Sequence, residues 1–337
     1  MLAPRGDAAP LEISEPFHFA RREAPGDSRA GSLDIRGALA LRNEVGTTPI
    51  PREISGLAWS GDDRILYAIT DDGQLMHLRP RFDHGQLTAL DLLAAHRLTD
   101  TAGVALGQGA SDAEGLALLA GEDGHPGNSR LLISFEGRPV LAEHRPDGRR
   151  LRVRALPSPL ADARRYTGTN LGLEALAWHP VHGAILAPER PLRGGGSSAV
   201  TLYADDGARW RYLVDVAAEQ SITGLDSLPD GSLLALERRY TRPWLPLVIT
   251  LSRLHLAADG LQVGRLARFS SADGWPVDNF EAIAYHRDGC FFIASDDNAS
   301  RWQRALVVYL SLREPDAGDQ RSSRRGISST RLHGRVR

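Results

Sequence analysis

Ile54-Ser55-Gly56-Leu57-Ala58-Trp59, Ala113-Glu114-Gly115-Leu116-Ala117-Leu118, Leu173-Glu174-Ala175-Leu176-Ala177-Trp178, Ile222-Thr223-Gly224-Leu225-Asp226-Ser227 and Phe280-Glu281-Ala282-Ile283-Ala284-Tyr285 are five versions of one pattern. Their equivalent positions, 55, 114, 174, 223 and 281, are 59, 60, 49 and 58 residues apart. Self-similarity at a fixed period is the signature of a repeat architecture. Each segment runs into a polar turn, such as Pro229-Asp230-Gly231 or Arg287-Asp288-Gly289, and then into a second apolar run that ends in acid. Asp-Gly between apolar runs marks a hairpin. The second runs are Ile65–Asp72, Leu131–Glu136, Ala184–Glu189, Leu233–Glu237 and Phe291–Asp297. Further short runs follow in most units, as in Gln74–Leu78 with Leu87–Leu93, and Ala199–Tyr203 with Arg209–Val216.

Four short strands per unit at this spacing predict an all-β protein, a single β-propeller of five four-stranded units. The unit from Phe280 has only three strands before Glu314, and the spare alternating run Leu33–Leu41 is expected to complete it and close the ring. Closure removes sheet edges that would pair with other chains. A sixth blade within Leu87–Ala110 or Val140–Tyr166 is the alternative. The expected organisation is a flexible segment over 1–30, the propeller over 31–314 and a disordered tail over 315–337 that is rich in arginine.

Within the 337 residues there are 42 acids and 40 bases, and every base is arginine. Lysine-dependent chemistry is therefore excluded: no Walker-A loop, no Schiff-base nucleophile, no pyridoxal anchor. The one cysteine, Cys290, lies in an apolar run and reads as a buried thiol; a disulfide or cysteine zinc site is excluded. Arg321, Arg324, Arg325, Arg331, Arg335 and Arg337 crowd the tail, so residues 1–320 carry a net −2 − 6 = −8. An acidic body argues against nucleic acid and suits bound cations. No run reaches the ~18 apolar residues of a membrane span. No secretory leader is visible in Met1 to Asp27.

Antiparallel pairing lays the start of each first strand beside the end of the second. Glu114 should then neighbour Glu136, Glu174 should neighbour Glu189, and Glu281 should neighbour Asp296 and Asp297. Asp71 and Asp72 should fall beside Ser55, and Glu237 beside Thr223. If the first strand is innermost, these groups collect at one mouth of the channel, with Arg138, Arg190 and Arg238 interleaved. Converging carboxylates repel unless a cation neutralises them. Hard oxygen donors suit Ca²⁺ best, with Mg²⁺ or Mn²⁺ as alternatives. Arginine forks beside them suit an anionic substrate such as a phosphate ester. The competing reading is structural: each acid caps a strand or pairs with the next blade's arginine, as a repeat needs its own internal ties. His179 and His286 fall at equivalent turn positions and read as turn residues. Gly194-Gly195-Gly196-Ser197-Ser198 reads as a flexible loop and lacks the flanking glycines of a nucleophile elbow. Trp59, Trp178 and Tyr285 share a repeat position and read as core.

Glu53–Trp59 with Tyr67–Asp72, Asp112–Leu118, Gly172–Trp178 with Ala187–Leu192, Ile222–Leu225 with Leu236-Glu237-Arg238, and Asn279–Tyr285 with Ser295–Asn298 occur in an order that resembles the phytase-like family, described as having the esterase-like activity of phytase. The resemblance covers about Glu53 to Leu312. Glu114-Gly115 is also locally similar to calcium-dependent lactonase and phosphotriesterase propellers. Together with the acids, the resemblance implies a metal-dependent hydrolase of phosphate esters. Asp71, Glu114, Glu174, Glu281, Asp296 and Asp297 would hold Ca²⁺; Glu174, Arg190 and Arg238 would serve catalysis. The alternative is a non-catalytic propeller that binds a small ligand or protein partner. A monomer is expected. The resemblance implies a periplasmic or secreted protein, and the missing leader leaves the cytoplasm as the other possibility.

Overall fold

The computed structural model describes residues 10–107, 109–168, 172–194, 198–215, 217, 219–242, 244–298, 300 and 302–313. The tail expected over 315–337, residues 1–9 of the N-terminal segment and residues 195–197 of the glycine-serine loop lie outside them.

Five blades form among the described residues, each a meander of four antiparallel strands. Blade 1 is Ile54–Ser60, Ile65–Thr70, Gln74–Asp83 and Gln86–Arg97; blade 2 is Ala113–Ala120, Arg130–Phe135, Val140–His144 and Arg150–Arg154. Blade 3 is Ala175–His179, Gly183–Ala187, Ala199–Ala204 and Arg209–Leu213; blade 4 is Gln220–Ser227, Leu233–Arg239, Val248–Ala257 and Gly260–Ser270. Blade 5 takes Asn279–Arg287, Cys290–Asp296 and Leu306–Leu312 from the end of the chain and Leu33–Leu41 from its beginning. The stretches named for the alternative sixth blade supply outer strands of blades 1 and 2 and a short helical turn, Ser158–Ala161.

The strands are apolar on both faces because each blade is packed between two others. In Cys290–Asp296, Phe291 and Ile293 join the core shared with blade 4, while Phe292 and Ala294 join the core shared with blade 1. Three similar clusters fill the other interfaces. A fully buried Phe or Ile contributes about 1.5–3 kcal/mol, so these five interfaces hold the ring. Cys290, at the open end of its strand, is only half-buried.

Leu33–Leu41 pairs with Leu306–Leu312 from Leu33↔Leu312 to Ala40↔Leu306, closing the ring as expected. The segment before it departs from the expected flexibility. Ser14–Pro16 pairs outside Leu33–Leu41, and Leu11–Glu12 pairs with the outer strand of blade 1. Ile13 between them is fully buried. Its apolar side chain fills the seam of blades 5 and 1, which outweighs the entropy of ordering a short segment.

The inner strands touch one another around the whole ring. A Cβ on Gly115 would lie 2.7 Å from Leu176 Cβ and 3.0 Å from the Glu174 carbonyl oxygen. The channel between the inner strands is reduced to about 10 Å³, room for no more than one water. The two mouths are thus separate surfaces. No helix among the described residues is long and apolar enough to cross a membrane.

Candidate functional site: the acidic mouth

The inner strands begin at the mouth where the repeated positions lie, and β-bulges aim those positions. Pairing is interrupted at Ser55, at Glu114-Gly115, at Thr223 and at Glu281. A bulge bends the strand and redirects the extra residue. In every blade, with or without a bulge, the residue two before the repeated position meets the end of the second strand. Asp71 N–H donates to Glu53 O, Glu136 N–H to Asp112 O and Glu189 N–H to Gly172 O. Ser221 pairs with Arg238, and Asn279 with Asp296. Two rings of side chains result. The inner ring is Ser55, Glu114, Glu174, Thr223 and Glu281; the outer ring is Asp71, Glu136, Glu189, Arg238 and Asp296.

The expected neighbours meet in blades 2, 3 and 5, with two differences. Glu237 is paired with Ile222, one residue out of phase with the mouth. It faces the interior of the blade, accepting from Ser252 Oγ at 2.9 Å and from Gln220. Arg238 therefore takes the fourth outer position. Asp297 is turned aside to the Arg52 guanidinium at 2.6 Å, while Asp296 stays in the ring and accepts from Asn279 Nδ2 at 3.1 Å. Asp112, Gly172 and Asn279 complete the site and were legible only as matches flanking the repeat, not as site residues.

Arg238 is the central cation. It donates to Glu281 Oε1 at 2.5 Å, to Glu189 Oε1 at 3.3 Å and to Asn279 Oδ1. Burial works against its charge, but Glu281, Glu189, Glu174 and Asp296 more than offset that and raise its pKa. Arg190 stands looser, 4.0 Å from Glu189 and 3.9 Å from Glu219. Arg138 is exposed.

One buried guanidinium does not balance so many carboxylates. Burial, then Asp296 and Glu281, push Asp71 up to about 8. Burial and Asp112 push Glu136 to about 7, and burial takes Glu281 to about 7 despite Arg238. Burial also lifts Asp296 to about 6. Glu114 and Glu174 are raised well above the usual carboxylate range, by burial and then by Glu174 and Glu189 respectively.

A cation fits these residues. Asp112, Glu114 and Glu136 offer oxygens within 4.8 Å of one another, a spacing a metal ion can bridge. Three buried polar atoms at this mouth have no hydrogen-bond partner among the described residues: Asp71 Oδ1, Arg190 Nε and Ser221 Oγ. Buried polar atoms in native proteins are nearly always satisfied, so each such atom points to an occupant. The histidines take no part. His179 Nδ1 accepts from Val181 and His182 N–H in its turn, and buried His286 contacts Tyr309 Oη at 2.6 Å.

No curated protein sequence matches the chain. Among solved structures, it is similar to a gluconolactonase from Xanthomonas campestris (13% identity, TM-score 0.40, covering 91% of this chain and 99% of that one). It is also similar to the soluble aldose sugar dehydrogenase from Escherichia coli (11%, 0.41, 78% and 97%) and to the Pan2 WD40 domain of Neurospora crassa (10%, 0.40, 86% and 97%). Likeness at this level carries no argument about activity. The sequence itself is more specific: residues 52–299 match the family model Phytase-like, described as esterase-like activity of phytase, and the chain belongs to that family.

Proposed function

We propose that the acidic mouth binds a divalent cation, Ca²⁺ first among the candidates, and hydrolyses phosphate esters. The observation that carries this reading is the convergence of buried carboxylates from four blades, three of them with oxygens within 4.8 Å of one another. Asp112, Glu114, Glu136 and Asp71 would hold the ion, with Glu174, Glu281 and Asp296 completing its oxygen shell. The cation would supply Lewis-acid charge to a phosphoryl oxygen. Arg190, whose ion pairs to Glu189 and Glu219 are long and whose Nε makes no hydrogen bond among the described residues, would grip the substrate's anionic group. Arg238 has its donors committed and would position Glu281 and Glu189. Asp297 would support the site through Arg52. Glu174, beside the ion, would accept a proton from an attacking water. The reading favours a small anionic substrate and a monomer. A compartment outside the cytoplasm, where calcium is abundant, would keep such a site filled.

The test is phosphate release from inositol hexakisphosphate and from an aryl phosphate, with excess Ca²⁺ and again with chelator. Release that appears with Ca²⁺ and disappears with chelator is expected. Glu174→Gln should abolish it and leave a folded protein; unchanged turnover would remove Glu174 from the site. No release in either condition favours a non-catalytic propeller, a reading for which the cavity at the opposite mouth speaks.

A further inference from the structure

The far ends of the inner strands enclose a cavity of about 480 Å³ at the mouth opposite the acids. Four residues past each repeated position stand Trp59, Leu118, Trp178, Ser227 and Tyr285, and all five line it. The three aromatic side chains were expected in the core; they are half-buried, because the inner strands open to solvent where these positions fall.

One residue breaks the repeat here. Where the other blades have Ala58, Ala117, Ala177 and Ala284, blade 4 has Asp226. Its Oδ2 accepts from Tyr285 N–H at 2.6 Å and its Oδ1 from Ser227 N–H at 2.7 Å. These two bonds leave each oxygen free to accept again. Burial pushes its carboxyl up to about 7, so the substitution for alanine is costly without a counter-charge. Glu122 adds a second carboxylate, raised by burial and by Asp62, with no ion pair among the described residues. Among the described residues no arginine or histidine lines the cavity; Arg64, Arg79 and Arg287 line the next groove, beyond Trp59 and Glu122. Arg154 already lies 5.5 Å from the centroid of the Trp178 ring, so this indole does receive a cation.

We propose that this cavity is a binding site for a small organic cation of the quaternary-ammonium type, held between the aromatic rings and the carboxylates of Asp226 and Glu122. Aromatic faces attract such cations through their quadrupole, and the attraction grows as water is excluded. The volume is that of a small-molecule site. The competing role for Asp226 is to tie blade 5 to blade 4 through Tyr285 N–H. Asp226→Asn tests the two apart: its one amide oxygen can keep the Tyr285 N–H bond that ties the blades while the charge is gone, at the loss of the local bond from Ser227 N–H.

The test is a tryptophan-fluorescence and calorimetric titration of the full chain at pH 8. The probes are choline and its neutral carbon isostere, 3,3-dimethyl-1-butanol. Saturable choline binding at least tenfold tighter than the isostere is expected. Asp226→Asn should weaken it at least tenfold in a protein that still unfolds cooperatively. Should that variant misfold, Glu122→Gln and Trp178→Leu should each weaken choline binding. Glu174→Gln, at the other mouth, should leave it unchanged, so failure here and failure of the phosphoesterase reading are distinguishable. Equal affinity for the two probes, no saturation, or full choline affinity in the folded charge-removing variants would overturn the proposal.

Discussion

Replacing Arg238 with methionine removes the guanidinium that bridges two of the mouth carboxylates while keeping much of its stem. Two ion pairs, to Glu281 at 2.5 Å and to Glu189 at 3.3 Å, are lost, along with the bond to Asn279. Removing one partner of a buried ion pair costs about 3–5 kcal/mol because the other charge is left uncompensated. At about 2–4 °C per kcal/mol for a large domain, the melting temperature should fall by about 6–20 °C at pH 7.5 in chelator. The loss should shrink at pH 5, where Glu281 and its neighbours take up protons instead. Excess Ca²⁺ should recover part of it, since a cation in the ring replaces the missing charge. The assay is thermal unfolding by circular dichroism of both proteins at each pH, with Ca²⁺ and with chelator. A variant as stable as the parent at pH 7.5 in chelator would falsify this reasoning, because it would mean that the carboxylates Arg238 touches need no cationic partner.

The parent should itself lose stability as pH rises. Asp71 at about 8, Glu136 and Glu281 at about 7 and Asp296 at about 6 all lie above their ordinary values. Between the unfolded and folded values the native state holds more protons than the unfolded chain. Each group therefore lowers stability by up to about 1.4 kcal/mol per pH unit in that window. The melting temperature in chelator should fall from pH 5 to pH 8, and Ca²⁺ should flatten or reverse the trend; a rise in chelator would contradict the charge reading. Gly115→Ala should destabilise by about 1–3 kcal/mol through overpacking against Leu176 and Ser134, measured by urea unfolding; no change would mean the inner strands can spread. Ile13→Ala should cost about 2–5 kcal/mol by the same measurement, and an unchanged midpoint would show that residues 10–16 add nothing to the seam.

The five blades, the strand that closes the ring and the gathering of acids at one mouth were legible because each depends on period and spacing alone. The aim of individual side chains was not. A β-bulge leaves no mark in composition, and at Glu237-Arg238 a one-residue phase difference decides whether an acid or a base enters the ring. Residues 10–16 escaped notice because a three-residue strand has too few positions to show alternation. The aromatic mouth was hidden for another reason: Trp59, Trp178 and Tyr285 follow the strand's apolar pattern and differ from core only in where the strand stops.

The pairing of Leu33 with Leu312 also bears on how the protein is made. The closing strand leaves the ribosome before any of the other four blades, yet its partner emerges only after all of them. Throughout elongation it must wait with an open edge, and no partial ring can be sealed. Such non-local pairing slows folding and exposes unpaired edges to other nascent chains. A circular permutant that joins the outer strand of blade 5 directly to Leu306–Leu312 would let every blade fold as it emerges, with the seam moved to a boundary between two intact sheets.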